Sequence, residues 1–271
     1  MKHVKWYSWL VGSLLLLLVI MGIVGALEKE ANRSVGHPSI LVHADGAEAL
    51  LNENELKERL IEGRIYRPEA PFDQLNLLEV ERLVQKMEEV KTVRVYKKLG
   101  GTWFIEVWLR KPIARIFHQN GASVYLDSDG QTIAVNNLHT AHVLVISGKF
   151  NEPLSGVKVS DFINNDSLKN IRKLDDCYRI SSYVCNDPLF NPLIGQVYLE
   201  KDGSFVLIPL VGDQKIVFGS AYSDSQVEDK FKRLRIFYEE GIPYKGWKKY
   251  SEINVKYDGQ IVCKQRDNAP E

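Results

Sequence analysis

Between positions 9 and 27 the chain carries no charged residue, and Leu14-Leu15-Leu16-Leu17-Leu18-Val19-Ile20 makes the middle of that run wholly apolar. As a helix this stretch rises roughly 28 Å, close to the ~30 Å hydrocarbon thickness of a bilayer. The rest of the sequence holds no second such run. Trp6, Tyr7 and Trp9 fall where an aromatic belt sits at a membrane interface. The expectation is one membrane-spanning helix over 9–27, in contact with the lipid bilayer. The competing reading is a cleaved signal peptide, with Lys2 and Lys5 as its basic region and Val24-Gly25-Ala26 as a small-residue cleavage site. The apolar run exceeds the roughly 7–15 residues of a signal core, so an uncleaved anchor fits better. Lys2, His3 and Lys5 precede the span without an acid, while Glu28, Lys29, Glu30 and Arg33 follow it with mixed signs. That asymmetry puts the N-terminal tail, 1–8, in the cytoplasm and everything after the span outside it.

Charge narrows the partners. The chain has 35 Lys+Arg and 35 Asp+Glu; residues 28–271, without Lys2 and Lys5, keep 33 and 35 of these. With no basic stripe, a nucleic-acid partner is disfavoured. The three cysteines, Cys177, Cys185 and Cys263, show no C-x-x-C spacing, and Cys177 and Cys185 sit too far apart on one expected helix to bridge. A search for chemistry returns little. Asp127-Ser128-Asp129-Gly130 lacks the later ligands of a calcium loop and reads as a hairpin turn. His139 and His142 precede Val143-Leu144-Val145-Ile146, which implies extended backbone and ring directions that do not converge. No nucleotide loop, nucleophile elbow or H-E-x-x-H is present. No catalytic residue, metal, cofactor or small-molecule substrate is expected, and function should reside in a surface.

Residues 28–38 read as a juxtamembrane linker. Ile40, Leu41 and Val42 then form a first strand; Asn52 with Glu55 starts a helix carrying Leu56, Leu60 and Ile61 and ending near Gly63. Asn76 caps a second helix with Leu77, Val80, Leu83, Val84 and Met87 on one face and Glu79, Glu81, Arg82, Lys86 and Glu88 on the other. Val93 and Val95 pair through Gly100-Gly101 with Trp103, Ile105, Val107 and Leu109 as a hairpin. The order β-α-α-β-β over 39–112 is the pattern of a POTRA domain, and the fold class is α+β.

Directly after it come Arg110-Lys111-Pro112-Ile113-Ala114-Arg115-Ile116 and Tyr125-Leu126-Asp127-Ser128-Asp129-Gly130. This R-x-P-I-A-R-I and Y-L-D-x-D-G series resembles the FtsQ/DivIB family of bacterial cell-division membrane proteins. The resemblance continues through Val143 to Gly148, a helical region from about Asp166 to Cys185, strands near 196–199 and 205–209, Ile216-Val217-Phe218-Gly219, a helix with Val227, Phe231, Leu234 and Phe237, and Ile253-Asn254-Val255-Lys256-Tyr257. The cysteines and the turn from Tyr257 to Cys263 suggest a Bacteroidetes-like branch. The resemblance implies a single-pass inner-membrane protein with periplasmic domains at the division septum: a POTRA domain, then a β-rich domain with flanking helices over 113–264 and a short tail, 265–271.

The resemblance also implies a binding mode. FtsQ-like proteins receive the C-terminal segment of FtsB, with FtsL beside it, by strand addition on their last strand. Here the last strand is expected over 250–264, at a sheet edge, with Ile253, Asn254, Val255, Lys256, Tyr257, Asp258 and Gly259 at the partner. Lys256 would attract an acid, and Tyr257 would supply a rigid aromatic contact. Gly259 departs from the small hydroxyl residue common there. Lys232 and Arg235 on the preceding helix would face the partner or form an ordinary solvated face. A charged edge can equally serve only to prevent pairing. The alternatives from other classes are a POTRA-bearing factor for polypeptide transport or outer-membrane assembly, and an exported enzyme.

Overall fold

The computed structural model describes residues 4–31, 33–45, 49–98, 102–135, 139–150, 156–161, 163 and 173–266. The chain forms two compact units, one from Met1–His43 with Leu51–Leu109, the other from Ala44–Leu50 with Arg110–Glu271. The mixture of helices with a largely antiparallel, sheet-rich second unit is α+β.

In the first unit, helix α1 (Val4–Ala31) contains the uncharged window Trp9–Ala26, long and apolar enough to cross a membrane. The helix extends past both ends of 9–27, so the segment expected as a tail is helical from Val4 onward. The expected linker is not slack either. Ser34 bridges Pro71, Val35 N donates to Ala70 O (2.8 Å), Gly36 N to Pro68 O (2.8 Å), and Phe72 N to Arg33 O (2.8 Å). Val35 is buried, and its carbonyl accepts the Trp103 indole N–H at 3.1 Å. An apolar residue and a lone buried indole donor satisfy each other, and this draws 33–36 onto the unit.

Strand β1 (Ser39–His43) follows, then α2 (Glu53–Glu62) and α3 (Leu77–Gln85). Asn52 and Asn76 cap these helices, accepting from Glu55 N at 2.9 Å and Glu79 N at 3.1 Å, as the sequence predicts. Leu56 and Leu60, and Val80 and Val84, are buried on the helix faces turned to the sheet, whereas Ile61 is exposed. Strands β2 (Val90–Lys97) and β3 (Trp103–Leu109) pair antiparallel, and β1 lies parallel to β3, giving the order β1-β3-β2. Trp103, Ile105, Val107 and Leu109 face the core, the alternation the sequence shows. The Gly100-Gly101 connection lies outside the described residues. Glu81 does not simply join the solvent face: its carboxylate accepts Val95 N of β2 at 2.9 Å. One turn on, Gln85 Nε2 donates to Lys91 O at 3.0 Å. Both side chains thus occupy backbone groups on the outer side of edge strand β2.

The longer part of the second unit begins at Arg110, so Pro112 opens strand β4 instead of closing the segment 39–112. Strands β4 (Pro112–Phe117), β5 (Ser123–Asp127), β6 (Thr132–Ala134), β7 (Leu144–Gly148), β8 (Ile194–Leu199), β9 (Phe205–Pro209), β10 (Lys215–Gly219), β11 (Tyr250–Asn254) and β12 (Val262–Gln265) form one sheet in the order β12-β11-β10-β9-β8-β7-β4-β5-β6. The D-x-D-G run is the β5–β6 turn, with Asp127 Oδ1 accepting from Asp129 N (3.0 Å) and Gln131 N (2.6 Å). Helix α4 (Leu174–Asn186) fulfils part of the helical region expected from Asp166; 166–172 lies outside the described residues. After the short α5 (Phe190–Leu193), helix α6 (Asp224–Ile236) runs through a π segment, Phe237–Gly241, into α7 (Ile242–Lys245).

Both long helices bury apolar stripes on the sheet: Cys177, Ile180 and Val184 from α4, and Val227, Phe231 and Leu234 from α6. Phe231 ties them together, stacked on Tyr183 (4.4 Å) and packed on Phe190 (4.9 Å) and Phe218 (5.1 Å). Lys173, Asp175, Asp176 and Arg179 are buried beside this core. Arg179 Nη1 bonds to Asp175, Asp176 and Ala221 O, each at 3.1 Å, and so links α4 to the segment before α6. All three cysteines are free thiols.

Candidate partner-binding edge

The single last strand expected over 250–264 is a hairpin. β11 ends at Asn254, the chain turns through 255–261, and β12 returns antiparallel with Glu252 opposite Lys264, Ile253 opposite Cys263 and Asn254 opposite Val262. On its other side β11 pairs in parallel with β10, Ile216 opposite Ile253, and Val255 N donates to Val217 O at 3.0 Å. β11 is therefore internal, and the protein's own β12 occupies the rim at which β11 was expected. The expected tail also shifts: Gln265 belongs to β12, Arg266 N donates to Lys249 O at 3.0 Å, and 267–271 lies outside the described residues.

The reversal has a physical cause. Gly259 takes φ +71, a left-handed conformation that costs glycine little. Arg233 of α6 then gathers the turn. Its guanidinium donates to Tyr257 O, to Gln260 O at 3.0 Å and to Val255 O at 3.5 Å. Lys230, one turn earlier, is buried and donates to Phe218 O (3.0 Å) and Ser220 O (2.6 Å) at the exit of β10. Burial pushes the Lys230 ammonium down to about 8, and nearby Arg233 acts in the same direction. Two helix cations thus hold the backbone carbonyls at the ends of neighbouring strands. The sequence reading missed both residues, although Lys230 interrupts the apolar stripe Val227, Phe231, Leu234 at helical spacing.

The predicted site residues separate into three groups. Ile253 and Val255 are fully buried, and Asn254 is held between β10 and β12. Lys256, Tyr257, Asp258 and Gly259 are exposed in the turn, with Tyr257 at 51%. Lys256 packs its stem on Gly219, where a Cβ would lie 2.8 Å from Lys256 Cγ and φ is +76. Lys232 and Arg235 on α6 are both engaged within the unit. Lys232 pairs with Glu228 at 2.8 Å. Arg235 pairs with Asp187 and with Glu239 (3.4 Å) and covers the Phe190 ring at 5.5 Å.

What lies at the rim is β12. Alternation turns the N–H and C=O groups of Val262, Lys264 and Arg266 toward β11, and those of Cys263 and Gln265 outward. No described strand lies beyond β12 in the sheet. The opposite rim is covered: Gln131 bridges Lys158, and Thr132 N donates to Val157 O at 3.0 Å. Beside the β12 end, a shallow groove of about 340 Å³ is lined by Arg233, Ile236, Phe237, Glu240, Gln260 and Ile261. Burial pushes the Cys263 thiol up, so that sulfur is a packing group.

The family model "FtsQ/DivIB, C-terminal related" matches residues 111–264, more than half of the chain, from the start of β4 to the next-to-last residue of β12. The chain belongs to this family. No curated protein matches it. FtsQ/DivIB proteins are non-enzymatic cell-division proteins, and one N-terminal apolar helix fits a single-pass membrane protein of that kind. In FtsQ/DivIB terms, the matched region contains α6, the groove beside it and the β11–β12 hairpin as far as Lys264, and stops short of Gln265 and Arg266 at the rim.

Proposed function

We propose that this protein is a divisome assembly factor whose β12 rim takes up an extended segment of an FtsB/FtsL-like partner by strand addition. On this reading the N-terminus is cytoplasmic, α1 is the retained anchor, and both units stand in the periplasm at the septum. The first unit is then a POTRA domain, consistent with its element order and its β1-β3-β2 sheet. The observation that carries the reading is the rim itself, where Cys263 and Gln265 turn backbone groups outward beside the Ile236, Phe237 and Ile261 groove. The exposed turn residues Lys256, Tyr257, Asp258 and Gly259 flank the incoming strand, and Lys232, paired with Glu228 on α6, is a more distant charge that the partner would reach only beyond the groove. Ile253 and Asn254 pair with β12 from its inner side, and Val255 ties the end of β11 to β10.

The test distinguishes outward from inward donors. Gln265→Pro removes an outward N–H on an edge strand and leaves the Arg266–Lys249 bond in place. Capture of the FtsB/FtsL-like pair should fall at least about tenfold, with the thermal midpoint of the chain nearly unchanged. Val255→Pro removes the donor to Val217 and should instead unfold the hairpin. Full capture by a folded Gln265→Pro chain overturns strand addition. Lys256→Glu should weaken capture and reverse its salt dependence; unchanged affinity removes Lys256 from the contact.

A further inference from the structure

We infer that the β2–β3 end of the first unit, carrying Lys97 and Lys98, rests on the headgroup surface of the bilayer that α1 spans, with both ammonium groups on lipid phosphates. The inference rests on α1 being a retained anchor. Its apolar window ends at Ala26 and the helix continues to Ala31, a further rise of about 7.5 Å. That rise matches the roughly 5–8 Å depth of one headgroup layer, so Ala31 stands at its outer boundary. No slack follows. Arg33 and Ser34 are already bonded to Phe72 and Pro71, which holds that loop at the same height.

The loop in turn carries the strand end. Lys97 Nζ lies 5.4 Å from the Phe72 ring centre, and Lys98 Nζ lies 4.3 Å from that of Phe104 and 5.9 Å from that of Tyr96. Both lysines are exposed, and each rests on an aromatic ring. Lysines over aromatic rings form the composition that sits well at a membrane interface, where the stem and ring stay shallow and the charge meets phosphate. The same loop exposes the acids Glu69 and Asp73 and the base Arg67, so position contributes more than net charge. Lys91, at the other end of β2, stands about 20 Å away along the strand and serves as an internal reference.

The test uses the full chain in nanodiscs of phosphatidylcholine and phosphatidylglycerol at roughly 3:1, with photoactivatable lipids whose crosslinks are mapped by mass spectrometry. A headgroup-borne probe should label Lys97 and Lys98 about fivefold more than Lys91, and an acyl-chain probe should label 9–26. The exposed pair K97E/K98E should bring labelling of that end down to the Lys91 level with the 9–26 label unchanged. Equal headgroup labelling of Lys98 and Lys91, beside a labelled span, overturns the membrane contact alone. Undiminished labelling in K97E/K98E overturns the phosphate contact. Absence of acyl-chain label at 9–26 overturns the anchor and this inference with it.

Discussion

At the scale of single residues, two cations on α6 hold the end of the sheet in place. Arg233 engages three carbonyls of the turn, so Arg233→Gln should cost about 1–3 kcal/mol. Amide exchange across 256–265 should rise by at least about tenfold relative to the β7–β8 strands; unchanged exchange would show that the turn holds itself. Lys230 gives a sign that is unusual for a lysine. Its folded value is about 8 against an ordinary value near 10.5, so the unfolded chain binds the extra proton between them. Stability contributed by this group must therefore rise as pH climbs from about 8 toward 10.5, by at most about 1.4 kcal/mol per unit. Denaturant midpoints at pH 7.5 and 9.5, compared between the natural chain and Lys230→Met, measure it. The gain should be present in the former and absent in the latter.

At the scale of elements, the three-stranded sheet and the nine-stranded sheet treat their edges differently. Glu81 and Gln85 seal β2 from α3, while β12 turns outward groups toward solvent. Glu81→Ala should cost about 1–2 kcal/mol and free the Val95 N–H; sedimentation should then detect concentration-dependent self-association through the unsealed strand. How far these elements are legible in the sequence depends on how local their causes are. Asn52 and Asn76 announce two helices because a cap is a contact across three residues. The hydrophobic alternation of β3 states its buried face directly. A turn from Tyr257 to Cys263 is legible, but the return strand that pairs on β11 is not, because the parity is continuous. Ile253, Val255, Ile261 and Cys263 are all odd-numbered and all turn to the core, before and after the reversal. Alternation is identical for one long strand and for this hairpin, and only Asp258-Gly259 signals the turn. Glu81 likewise follows helical spacing onto the polar face, yet a strand brought alongside by tertiary packing gives its carboxylate a donor.

For the whole molecule, the family match extends over the second unit, and the first unit is legible from pattern and from its own bonds. Retention of α1 is checked by the intact mass of protein extracted from membranes, which should include the first 26 residues; a product shorter by that segment would mean a signal was removed. The junction after α1 bears on mechanics. A head on a flexible leash would swivel freely, and its anchor would report nothing about orientation. Here Arg33 and Ser34 are bonded to Phe72 and Pro71, so the first unit takes hold of the chain from residue 33 onward and any leash is short.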